Sequence, residues 1–293
     1  MINILYSKDW EEYELLDTGE SEKLERFGDH ILARPYEDAV WKRTLTAEWK
    51  KADGRFVSSK DGGKSGWRMN RTFAERWPME YKGIKFIASP TPFRHLGFFP
   101  EQSAHWDFIE EKISGVRGPL TRPVKFLNLF GYTGVASLFA LRAGAEVTHV
   151  DASKQSIDWA KENQKLSGLE DLPMRVILDD VLKFMEREEK RGNKYDCIIM
   201  DPPKFGRGPK GEVWKIEENL AQLLDQARKI LSDDPLFVIL NSYAIDSSSL
   251  SLGYALSEAM KDLGGKTESG ELCLLEKSNG RLIPLSNTAI WSR

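Results

Sequence analysis

From residue 124 onward the chain repeats one pattern: a short apolar run, a brief turn, then a longer stretch with helical periodicity. The runs are VKFLNLF (124–130), AEVTHVD (145–151), MRVIL (174–178), YDCIIMD (195–201) and LFVILNS (236–242). Helices are predicted near 134–143, 153–166, 181–190, 213–231 and 248–263. Runs this apolar suit strands buried on both faces, and parallel neighbours need a crossover between them. The pattern therefore specifies a parallel sheet with helices on both sides. The tail departs from it: GELCLLEK (270–277), the turn Ser278-Asn279-Gly280 and RLIPLSNTAIW (281–291) read as an antiparallel hairpin. The expected fold class is α/β, with seven strands, five parallel plus the terminal hairpin, over residues 101–293.

Residues 1–100 read differently, as a small α+β domain. Short strands over 12–35 turn at Thr18-Gly19 and Gly28-Asp29, and a hairpin over 79–89 turns at Lys82-Gly83. Trp41, Leu45 and Trp49 recur every four residues, which predicts a helix over 37–51. DGGKSG (61–66) is a loop by composition, and 102–114 reads as a helix.

Composition narrows the class. No stretch approaches the ~20 consecutive apolar residues of a membrane helix. The N-terminal residues lack a basic segment followed by an apolar core, so no signal peptide is expected. Two cysteines, Cys197 and Cys273, supply neither a disulfide framework nor a four-ligand zinc site. His30, His95, His105 and His149 do not pair at ligand spacing, so no metal is expected, and His149, inside a strand, reads as structural. A reduced, cytoplasmic protein is the expectation. The net charge of −3 conceals an asymmetry: residues 42–94 carry thirteen Lys/Arg against five acids. Trp49, Phe56, Trp67, Phe73, Trp77, Tyr81, Phe86 and Phe93 lie among them. Such a window suits either an RNA-binding face or a solvated basic face over an aromatic core.

Ligands of open α/β sheets sit outside the carboxyl ends of the strands, and here those ends carry unusual residues. The first runs into Asn128-Leu129-Phe130-Gly131-Tyr132-Thr133-Gly134, whose glycines allow a tight turn and a close backbone approach. The second ends at Asp151, followed by Ala152 and Ser153, where a carboxylate can accept the hydroxyls of a ribose. The third ends at Asp179-Asp180, either of which can accept from an adenine amino group or cap the next helix. The fourth ends at Asp201-Pro202-Pro203-Lys204-Phe205, a rigid corner rich in acceptors with an aromatic ring beside it.

LNLFGYTG, VDAS, DD and DPPKF on five such strands resemble the class I S-adenosylmethionine-dependent methyltransferases. More narrowly the chain resembles the bacterial RlmI/RlmK-like branch of rRNA large-subunit methyltransferases, a likeness that extends to GFFPEQSAHWDFI (97–109) and the YELLDTGESEKLERFG region. The resemblance implies a Rossmann-like methyltransferase sheet, S-adenosylmethionine as cofactor and RNA, most simply rRNA, as partner. It places Asn128, Phe130, Tyr132, Thr133 and Gly134 around the methionine part, and Asp151, Ala152 and Ser153 at the ribose. It places Asp180 or Asp179 at the adenine, and Asp201, Pro202, Pro203 and Phe205 beside the transferable methyl.

Three departures from the family pattern carry weight. Phe130 and Tyr132 stand where the commonest loop has glycines, and Asn128 where it has an acid. Lys204 stands where amino-methylating families place an aromatic, so the stacking role either shifts to Phe205 or lapses. The loops DPPKFGRG and LNSYAIDSS contain no cysteine, so direct transfer to a base nitrogen without a covalent adduct is expected, and Tyr243 is a candidate for the pocket wall. No separate RNA-binding module of the PUA type is expected ahead of the first hairpin. Target recognition falls to the 42–94 window and to Lys204, Arg207, Lys210 and Lys215. Competing readings are a protein or small-molecule acceptor, a nicotinamide-dependent oxidoreductase, and a non-catalytic RNA-binding protein.

Overall fold

The computed structural model describes residues 2–58, 64–72, 74–116, 122–243 and 247–293. Contacts divide the chain into two units. One comprises Met1–Leu5, Ala104–Leu272 and Leu285–Arg293; the other comprises Tyr6–Ser103 and Cys273–Pro284. The sequence suggests a single boundary at residue 100. Strand pairing is non-local, and it draws the N-terminal strand into the first unit and the tip of the tail hairpin into the second.

In chain order the strands are β1 (Ile2–Leu5), β2 (Tyr13–Gly19), β3 (Glu22–Phe27), β4 (His30–Pro35), β5 (Gly54–Val57), β6 (Gly66–Met69), β7 (Trp77–Tyr81) and β8 (Ile84–Ala88). There follow β9 (Lys125–Leu129), β10 (Glu146–Asp151), β11 (Met174–Leu178), β12 (Cys197–Met200), β13 (Phe205–Arg207), β14 (Val213–Lys215), β15 (Phe237–Ser242), β16 (Lys266–Leu275) and β17 (Leu282–Ser292). The helices are α1 (Thr46–Lys50), α2 (Ser103–Ser114), α3 (Val135–Arg142), α4 (Lys154–Leu166), α5 (Val181–Lys190), α6 (Ile216–Ile230) and α7 (Ser249–Ala259).

The first unit is built on a sheet of order β1-β16-β17-β15-β12-β9-β10-β11. Its five parallel strands, β11, β10, β9, β12 and β15, are those read from the apolar runs, with β17 antiparallel to β15. The expected seven strands become eight because β1 adds in parallel to β16, Ile2 opposite Ser269 and Leu5 opposite Leu272. Four residues at an edge give no local signal of so distant a partner. One sheet face packs Leu127, Leu129, Ile198, Met200, Val238 and Leu240 against α5, α6 and α7. The other face bears Phe126 and Phe237, and beside them Phe108 of α2 and the stacked pair Trp106–Phe139 of α2 and α3. Strands β12 and β15 are buried along their whole length, as strands covered on both sides must be. No helix among the described residues is long and apolar enough to cross a membrane.

The second unit holds a five-stranded sheet, β2-β3-β4-β5-β6, and the separate hairpin β7-β8. Lys82 and Gly83 take φ of +47° and +83° in that hairpin, as a tight two-residue turn requires. Two expectations are corrected. The β2–β3 turn falls at Glu20-Ser21, with φ of +54° and +62°, two residues beyond Thr18-Gly19. The helix expected over 37–51 shrinks to α1. Backbone groups of residues 39–45 are engaged elsewhere: Glu20 N donates to Trp41 O, and Ser21 N to Ala39 O. The buried Asp17 carboxylate accepts Thr44 N, Leu45 N and Trp49 Nε1 at 2.8–2.9 Å. A polar anchor therefore overrides the four-residue tryptophan spacing. Of the loop at DGGKSG, residues 61–63 lie outside the described residues.

Beneath this sheet Glu25 is fully buried. It receives Arg34 at 2.6 Å on each oxygen, Tyr13 Oη at 2.8 Å, and lies 3.2 Å from Lys23. Burial alone would raise its carboxyl, but Arg34, Lys23 and these hydrogen bonds outweigh it and hold it at about 2. Its pKa is thus depressed below the ordinary 4.5, so its stabilisation is complete above about pH 4.5 and vanishes as pH falls through 2. Glu25→Gln, which strands two buried cations, is expected to cost about 3–5 kcal/mol in urea unfolding at neutral pH. Its stability should also vary less between those two pH values than that of the wild type.

Candidate active site

The loop after β9 is shaped from below. Asn128, buried on β9, donates Nδ2 to Ser137 Oγ at 3.0 Å, and that hydroxyl lies 3.1 Å from His149 Nδ1 on β10. Burial lowers the His149 pKa to about 4 despite a backbone hydrogen bond at Tyr132, so the ring is neutral near pH 7. Gly131 rests directly on this floor. A Cβ there would lie 2.4 Å from His149 Cε1, closer than carbon atoms approach, and a tight 3.1 Å from Asn128 Cγ. On either side Phe130 and Tyr132 adopt left-handed φ of +57° and +50°, each costing on the order of 1 kcal/mol. Gly131 N donates to Val150 O at 2.9 Å, Tyr132 N to Asp151 Oδ2 at 2.8 Å, and Thr133 O accepts Asn163 Nδ2 at 2.9 Å. Gly134, at φ +84°, opens α3 without a side-chain cap.

Asp151 closes β10. Its Oδ1 accepts Ser153 N and its Oδ2 accepts Tyr132 N, both at 2.8 Å. Burial raises its carboxyl pKa against the pull of those backbone bonds. A carboxylate has about four acceptor positions, so with the backbone bonds from Tyr132, Ala152 and Ser153 it still keeps acceptor capacity for a ligand hydroxyl. Ala152 follows, and the Ser153 hydroxyl caps α4 by accepting Ser156 N at 3.2 Å. Asp151 pairs with Leu178 across the β10–β11 register, which brings Asp179 and Asp180 to the neighbouring strand end. Asp179 accepts Asp180 N at 2.9 Å and pairs with Arg187; Asp180 caps α5, accepting Lys183 N at 3.0 Å. The capping role open to the pair thus falls to Asp180.

Asp201 follows β12, level with the ends of β9 and β15, since Met200 pairs with Leu129 and with Leu240. Asn241 on β15, fully buried, donates Nδ2 to Asp201 Oδ1 at 3.2 Å, and Ser286 Oγ donates to Asn241 Oδ1 at 3.2 Å. Asn241 was missed in the sequence, although an amide inside the run LFVILNS is the signal that marks it. Pro202 is buried and Pro203 exposed. The segment after them is a short hairpin, β13 against β14, where a loop and then a helix from 213 were expected. Trp214 of β14 was also missed. Its Nε1 donates to Pro203 O at 2.7 Å, so that carbonyl is engaged inside the protein, and its ring lies 4.9 Å from that of Phe130. Phe205 is exposed, and Tyr243 is half-buried at the end of β15.

Most aromatic rings of the basic window are interior, while its lysines and arginines lie mainly at the surface. Trp49, Phe56, Trp77, Tyr81 and Phe86 are buried, Phe93 is exposed, and Phe73 lies outside the described residues. Arg43 pairs with Glu20 and Glu22, Arg55 with Glu22, Arg71 with Asp53 and Arg94 with Glu37.

Because the Gly131 approach leaves no room for a methyl group, Gly131→Ala must displace His149 or lift the loop off Asp151. Binding of S-adenosylhomocysteine, measured by calorimetry, is expected to weaken at least about tenfold, with a lower melting temperature.

The family model described as conserved hypothetical protein 95 matches residues 104–243. Ribosomal RNA large subunit methyltransferase K of Neisseria meningitidis is 32% identical over 184 residues, 61% of this chain and 49% of that protein. Ribosomal RNA large subunit methyltransferase I of Aeromonas salmonicida is 32% identical over 151 residues, 51% of this chain and 33% of that one. The chain thus spans half or less of the length of these curated relatives. The crystal structure of a SAM-dependent methyltransferase from Agrobacterium tumefaciens is 44% identical and superposes with a TM-score of 0.93, covering 99% of this chain and 93% of that one. Similarity of that extent, over a sheet whose strand ends carry the residues described above, makes this chain a member of the SAM-dependent methyltransferase family.

Proposed function

We propose that the chain methylates a base nitrogen of RNA, with ribosomal RNA the favoured substrate, by direct in-line transfer. The observation that carries the chemistry is the acidic proline corner. Asp201, held by Asn241, stands at the centre of the sheet beside the ends of β9 and β15, next to the rigid Pro202-Pro203 pair. The rRNA substrate is supported by the two rRNA methyltransferase relatives.

S-adenosylmethionine, when bound, supplies a methyl group already activated on a sulfonium, so the protein's task is binding, orientation and exclusion of water. The residues present fit it. Asp151 keeps acceptor capacity for a ribose hydroxyl, and Asp179 or Asp180 lies one strand over for the adenine amino group. The first turn of α3, which no side chain caps, offers its N–H groups to the methionine carboxylate. Asp201 and the Pro202 carbonyl accept the hydrogens of the acceptor amine, which aims its lone pair away from them. Once the nitrogen has accepted the methyl group in exchange for that group's bond to the sulfonium, the nitrogen's surplus proton would pass to Asp201 or to water. Phe205 supplies a face on which the base can stack. Both cysteines are buried, and burial raises the Cys197 thiol well above its ordinary range, which supports transfer without a thiolate adduct.

The test incubates the protein and radiolabelled cofactor with extract of a strain lacking this gene, followed by parallel nuclease and protease digestion. Label released by nuclease is expected, and release by protease alone overturns the RNA substrate. Asp201→Ala should bind S-adenosylhomocysteine as the wild type does and transfer at least about 10²-fold more slowly.

A further inference from the structure

We propose that the β13–β14 hairpin is the docking strip for the acceptor strand: its outer face takes single-stranded RNA by stacking and phosphate contact, while Trp214 holds it in register with the reactive corner. This rests on the RNA reading above and names the surface that reading requires.

The hairpin register pairs Phe205 with Lys215, Gly206 with Trp214 and Arg207 with Val213. Alternate residues of a strand face opposite sides, so Gly206 and Trp214 form one face and the other four residues form the second. The first face is fixed to the protein. Trp214 is buried, packs on Phe130 and donates to Pro203 O. A Cβ on Gly206 would come within 3.3 Å of Pro203 Cγ, so a glycine lets the hairpin lie close over the corner. Ile216 N donates to Lys204 O at 3.1 Å and fixes the base of the hairpin.

The second face is open: Phe205 is 56% exposed and Val213 53%. Residues 204–215 contain Lys204, Arg207, Lys210 and Lys215 against a single acid, Glu212, in a chain of net charge −3. Glu212 is already engaged, by Lys183 Nζ at 2.6 Å and Lys210 N at 2.9 Å, and Lys215 pairs with Glu218. The side chains of Lys204, Arg207 and Lys210 have no ion-pair partner among the described residues. An exposed aromatic ring flanked by unanswered cations is complementary to a strand with accessible bases and a phosphate backbone. A duplex hides its base faces within the stack, so the fit is to a single strand or an extruded base. In the 42–94 window Trp49, Phe56, Trp77, Tyr81 and Phe86 are buried, and Arg43, Arg55, Arg71 and Arg94 are already paired.

The experiment titrates a fluorescein-labelled single-stranded RNA of mixed sequence against the whole protein in the presence of S-adenosylhomocysteine, over a series of salt concentrations. The triple variant Lys204→Gln, Arg207→Gln, Lys210→Gln is expected to weaken binding at least about tenfold, with the slope of log affinity against log salt shallower by about 2. Phe205→Leu is expected to weaken it about tenfold. A control triple in the window, Lys50→Gln, Lys51→Gln and Arg68→Gln, should stay within about twofold. Unchanged affinity for S-adenosylhomocysteine in both triples certifies the fold. If the hairpin triple binds RNA as the wild type does, or the window triple loses as much, the docking strip is refuted while RNA methylation stands. If the wild type shows no salt-dependent binding to this RNA and leaves no label in RNA, both fall together.

Discussion

The site depends on how closely the backbone at Gly131 lies on the imidazole of His149. That approach lets the chain turn through two left-handed residues and bring Tyr132 N back to Asp151. The same carboxylate also receives Ser153 N, so a single side chain ties the exit of β9, the end of β10 and the start of α4. Neutral His149, with Ser137 and Asn128 beneath it, forms a floor of hydrogen bonds without net charge. The negative charge of the site is thereby left to the strand-end acids, where a ligand can meet it.

Those acids divide their work. Asp179 is neutralised by Arg187, and Asp180 is occupied as a helix cap. Asp201 accepts the Asn241 amide, which fixes the direction of one carboxylate oxygen. Trp214 does for the proline corner what Asn241 does for the acid, since a neutral donor settles the orientation of Pro203 without adding a charge.

The parallel sheet and its strand-end residues were legible because both are written locally: uniform apolar runs, then an acid or a glycine where each run stops. What escaped was set by distant partners. Strand β1 finds β16 across more than 260 residues, and nothing in INIL announces it. Asp17 reaches across the chain to Thr44, Leu45 and Trp49 and undoes a helix that tryptophan spacing alone would support. The β13–β14 hairpin has strands of only three residues, too short for periodicity to register, so its buried tryptophan was absorbed into the following helix. Asn241 sits in an apolar run where a polar residue reads as a strand ending rather than as a strut.

The division of the chain carries a consequence for anyone who would take the protein apart. The polypeptide passes between the two units four times, after Leu5, Ser103, Leu272 and Pro284. Neither unit is therefore a contiguous fragment, and no single cut releases one intact. A deletion series from either terminus removes pieces of both, so shortened forms are poor proxies for either part. Isolating either unit calls for re-splicing the chain rather than trimming it.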